Sequence, residues 1–110
     1  MARRPTRPPA PADPARLLLA RISELASRGA DPGRMRRTVE DALSAWQGEP
    51  DERRERVESM HDALGEGIES ATEQLDDMDR SDQAGMRQAQ KALAALRAAH
   101  EALGTARTAS

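Results

Sequence analysis

Glu58-x-x-His61 is the spacing in this chain that comes nearest to metal chemistry. A carboxylate and an imidazole three residues apart share a helical face, and di-iron carboxylate bundles use Glu-x-x-His in this way on paired helices. The second histidine, His100, is followed by Glu101. If the chain reverses near Arg80–Ser81, His100 arrives at about the height of His61 on the adjacent helix. Glu58, His61, His100 and Glu101 are then the candidate ligands. A di-metal bundle normally needs two such motifs and this chain holds one, so neither a metal nor a cofactor is expected. His61 lies at the edge of its apolar stripe and His100 within its own, where histidine is more often a packing residue than a ligand. The chain has no cysteine, which excludes thiolate sites and disulfides. Its serines sit on or beside helical segments, apart from Ser110, with no nucleophile-elbow glycines and no glycine-rich phosphate loop nearby. The expectation is a protein that is not an enzyme and has no small-molecule substrate.

Charge offers a second kind of chemistry. Residues 1–37 carry nine Arg against three acids, a balance of +6; residues 38–110 carry eight Lys or Arg against sixteen acids, a balance of −8. Residues 1–13, MARRPTRPPAPAD, combine Arg3, Arg4 and Arg7 with closely spaced prolines that fix φ and remove backbone donors, so a disordered, extended arm is expected. The three arginines can neutralise phosphates, but no aromatic residue interleaves with them for base stacking, so a nucleic-acid role would rest on the salt-sensitive term alone. Pro-x-x-Pro spacing at Pro5–Pro8 and Pro8–Pro11 also fits a polyproline-groove ligand. Prolines follow Arg3 and Arg4 where a signal peptide needs an apolar stretch, and the longest run of large apolar residues is Leu17-Leu18-Leu19. A cytoplasmic protein without a membrane partner is expected.

The elements that must carry these groups are helices. Aromatics are one Trp, with no Phe or Tyr, and the apolar palette of Leu, Ala, Met, Ile and Val favours helix over sheet. Asp13-Pro14 and Asp31-Pro32 each pair an N-cap acid with proline at the first helical position. They open helices over about 14–28 and 31–47, stopped by Gly29 and Gly48 and joined by the GADPG turn into a hairpin. Pro50, followed by Asp51 and Glu52, opens a third helix to about 79. Ser81 is the expected cap of a fourth, 82–103, with Gly104 ending it and 105–110 a frayed tail. No proline enforces the break near 80, so one helix over 50–104 is the alternative.

A stripe of Val57, Met60, Leu64, Ile68, Ala71, Leu75 and Met78, then Met86, Ala89, Leu93, Leu96, His100 and Leu103, recurs at steps of three and four. Such a step suits helices packed lengthwise. Glu58, Asp62, Glu66, Glu69, Glu73 and Asp76 fall nearly opposite. They are a solvated face, although an acidic stripe can also imitate a phosphate backbone. Few large apolar residues are available for a core, which suggests completion by a partner or a second copy. The fold expected is all-α: residues 14–104 form a single domain of two helical hairpins, as a small four-helix bundle or coiled-coil-like assembly. The function expected is that of a non-enzymatic interaction, adaptor or assembly subunit, as a homo-oligomer or within a complex. Leu64, Ile68, Leu75, Leu93 and Leu96 are its anchors, and Trp46 is a candidate hot spot.

Trp46-Gln47-Gly48 resembles the Trp-x-Gly turn of the small helical-hairpin proteins exported by type VII secretion. The resemblance covers three residues and the chain length. It implies a secreted, dimeric hairpin with that turn near its middle. GADPG interrupts what would be the first long arm, and the tyrosine of that family's C-terminal export signal has no counterpart.

Overall fold

The computed structural model describes residues 13–108. Four helices make up the fold and no strand occurs among the described residues: α1 (Pro14–Ser27), α2 (Pro32–Ser44), α3 (Pro50–Asp76) and α4 (Gln83–Thr108). The chain is all-α, as expected. Residues 1–12, with Arg3, Arg4 and Arg7, and residues 109–110 lie outside the described range.

The caps follow from side-chain chemistry. Asp13 Oδ1 accepts from the Ala15 N–H at 3.0 Å, and Asp31 Oδ2 accepts from the Gly33 and Arg34 N–H groups at 3.0 and 3.3 Å. Both satisfy donors that a helix start leaves free. Gly29 (φ 69°) closes α1, its N–H reaching Ala26 O while the Ala30 N–H reaches Leu25 O, each at 3.0 Å. This crossed pair satisfies the last carbonyls and needs a left-handed residue, which glycine supplies without steric cost.

The second half of the chain turns at 77–82, which excludes one continuous helix over 50–104. The cap of α4 is Asp82, not Ser81: Asp82 Oδ1 accepts from the Gly85 N–H at 2.9 Å. Ser81 instead donates its N–H and hydroxyl to Asp79 Oδ1, at 3.0 and 2.8 Å. Those two bonds hold the Asp79 carboxyl below its usual value of 3.8. They tie the turn and end α3 three residues earlier than the stripe suggests.

Two other boundaries differ from expectation. α2 stops at Ser44, and Trp46 leaves the helix, its N–H bonding Leu43 O at 3.3 Å while the side chain packs back on the core. At the other end, α4 runs through Gly104 to Thr108, so residues 105–108 are helical rather than frayed. Among the described residues Gly29 alone has a positive φ. Gly104 therefore keeps helical geometry, Ala106 packs against the core, and the Thr108 hydroxyl bonds the Gly104 and Thr105 carbonyls.

α4 is the hub. It packs on α3 most extensively, then on α2, then on α1; α1 also touches α2 and α3, while α2 and α3 do not meet. Around the bundle the order is thus α1, α2, α4, α3. Ala95, Ala98, Ala99 and Ala102 of α4 are buried, and their small side chains let three neighbours approach one helix. Around them close Leu18, Ile22 and Leu25 of α1, Met35, Val39 and Leu43 of α2, and Val57, Met60 and Leu64 of α3.

The hairpins are unequal. At 1.5 Å per residue, α1 and α2 are about 20 Å long and α3 and α4 about 40 Å. Asp13 pairs with Arg56 near the start of α3, and Arg36 of α2 pairs with Glu101 late in α4 at 2.9 Å. The short pair therefore covers only the half of the long hairpin that holds the start of α3 and the end of α4. No α3 residue after Leu64 is buried, and no α4 residue before Leu93. The covered half forms a root, and the remainder, with the 77–82 turn, forms a tip.

Candidate functional site

His61 and His100 meet at the root. Their rings stack with centroids 3.9 Å apart and an interplanar angle of 22°. Each lies over a glycine of the opposite helix: a Cβ on Gly65 would stand 3.6 Å from His100 Nε2, and one on Gly104 would stand 3.4 Å from His61 Nε2. There is room for a methyl group and little more. The two Nε2 atoms address different glycines, so the rings face one another rather than converge on a common point. His61 Nδ1 is buried without a hydrogen-bond partner, and Asp62 Oδ1 stands 3.8 Å from it. Burial first, and His61 second, push the His100 imidazole below its ordinary 6.5.

The remaining candidate ligands lie apart from this contact. Glu58 is exposed, and Glu101 points to α2, where it bonds Arg36. No group of three or more His, Asp or Glu suited to a metal occurs among the described residues.

The contact has a signature that spacing rules for metals pass over. His61-Asp62-Ala63-Leu64-Gly65 and His100-Glu101-Ala102-Leu103-Gly104 are the same five-residue pattern of His, acid, Ala, Leu and Gly. Residues four apart share a helical face. Two such segments laid antiparallel therefore place each histidine beside the other's glycine.

The apolar stripe divides at the root. Leu64 and Leu93, expected as partner anchors, are 6% and 5% exposed and are consumed within the chain. Leu96 and Trp46 are half-buried and pack against the core. Ile68 and Leu75, with Ala71, Met78, Met86 and Ala89, are half-buried along the tip and belong to no part of the core cluster. The acids Glu58, Asp62, Glu66, Glu69, Glu73 and Asp76 are all exposed. Arg87, Lys91 and Arg97 of α4 make no ion pair with these acids among the described residues.

Trp46 lines an open, mainly apolar groove of about 360 Å³ between α1 and α2, with Pro14, Leu17, Ala42 and Ala45. Leu17, 58% exposed, stands on its rim. The Trp46–Gly48 segment links α2 to α3, whereas the two long helices are joined at 77–82. No helix among the described residues is long and apolar enough to cross a membrane. The chain matches no protein-family model, no curated protein and no solved structure.

Proposed function

We propose that this chain is a non-enzymatic helical interaction subunit that binds a protein partner, or a second copy, along the tip of its long hairpin. One observation carries the reading. The apolar stripe continues past the end of the α1–α2 cover, leaving Ile68, Leu75, Met78 and Met86 only half-buried and outside the core. A two-helix hairpin has too little apolar burial to hold such a stripe rigidly by itself, and a third or fourth helix laid against it would complete a bundle. Ile68 and Leu75 are the anchors to test, with Leu96 and the Trp46 groove as secondary contacts.

The experiment is a tagged pull-down from source-cell lysate, with and without nuclease, comparing wild type with Leu75→Glu. Leu75 lies outside the core, so the variant is expected to keep the wild-type helical circular dichroism. A protein that survives nuclease and is lost with Leu75→Glu supports the tip as the docking face. Retention of the same partner by the variant sinks that assignment. Partners that vanish with nuclease redirect the function to nucleic acid and to Arg3, Arg4 and Arg7.

A further inference from the structure

The repeated His-acid-Ala-Leu-Gly segment makes the α3–α4 contact self-complementary, with a local two-fold relation between His61 over Gly104 and His100 over Gly65. The stacked rings sit at the root, between the segments of α3 and α4 that carry the buried core residues. Leu64 and Leu103, three positions after each histidine, are buried there.

We propose that the His61–His100 stack is a proton-operated clasp, closed while both imidazoles are neutral and loosened when acid protonates them. Two imidazolium rings at a 3.9 Å separation are like charges in a half-buried site. The surrounding charges do not cancel this. From α3, Asp62 favours the charged state but stands 3.8 Å from His61 Nδ1, beyond hydrogen-bond length. From α4, Glu101 favours it and Arg107 opposes it. From α2, Arg36 holds Glu101 at 2.9 Å and so offsets its help. No charged group of α1 bears on His100.

The direction follows from linkage. The unfolded chain takes up a proton near the ordinary histidine value of 6.5, while burial and His61 hold the folded His100 below it. Folded stability is therefore complete above about 6.5 and is lost as pH falls from there toward the folded value. Most carboxylates titrate lower, so the interval from about 7.5 to 5.5 isolates the histidines.

The test uses the full chain. Imidazole resonances of wild type and His61→Gln are followed by NMR from pH 8 to 5, and denaturant midpoints are measured at pH 7.5 and 5.5. The expected result is a His100 midpoint below 6.5 that rises toward it in His61→Gln. The wild-type denaturant midpoint should fall between the two pH values, and the fall should disappear in the His61→Gln/His100→Gln double variant. A His100 midpoint unchanged by His61→Gln overturns the clasp, as does an equal fall in the double variant. If the double variant does not fold, the His100 titration in the single variant decides alone.

Discussion

At Gly67 nothing lies within 4 Å of the point where a Cβ would stand, and the residue sits on the exposed side of an uninterrupted helix. Glycine there forfeits helix propensity and gains no contact in return. Gly67→Ala should stabilise the protein by about 0.5–1 kcal/mol, read as a higher denaturant midpoint at unchanged slope; a lower midpoint would show that Gly67 has a contact or conformation this fold does not give it. Gly65, two residues earlier, looks the same in the sequence, yet it faces His100 across the hairpin. Sequence spacing brings His61 and His100 to one height but does not reveal that each lies over a glycine of the opposite helix. That pairing is legible only once the segments HDALG and HEALG are set side by side with opposite directions.

Among the helices, α4 bears the tightest geometric demand, because three neighbours pack on one alanine-rich rod. Ala99 is fully buried, and close-packed interiors leave little room for a larger side chain. Ala99→Leu should cost about 1–3 kcal/mol through overpacking, although leucine is a good helix former. Measured neutrality would mean that the helices part more readily than their close approach implies. The helix starts were legible because Asp-Pro at 13–14 and 31–32 is a local signal, complete within a few residues. The end of α4 was not. A glycine stops a helix only where the chain needs a left-handed residue, and at Gly104 the packing of Ala106 and the histidine contact keep the helix running. Trp46 shows the converse: its packing draws it out of a helix that local spacing would have continued.

Across the whole molecule the short hairpin meets only half of the long one, and this divides a stripe that is uniform in the sequence into root and tip. The lengths of the four helices already require that some of the stripe be left over. Which half is covered depends on the long-range packing of α1 and α2 on α4 and α3, marked by the pairs of Asp13 with Arg56 and Arg36 with Glu101, that no local pattern announces. The division should govern local stability. Amides of 57–64 and 95–103 sit among buried side chains and should exchange with solvent only on global unfolding. Amides of 68–76 and 83–90 are held by a two-helix contact with no fully buried side chain and should exchange through smaller openings. Leu103→Ala separates the two regimes. Leu103 is fully buried, so its truncation should cost about 2–5 kcal/mol and lower root protection by the same amount. Tip protection should stay unchanged until the global free energy drops beneath the local one. Native-state exchange at fixed pH on wild type and variant provides the comparison, and equal protection of tip and root in the wild type would refute the division. A tip that opens independently has the freedom to re-pack on a partner helix without unfolding the root that holds it.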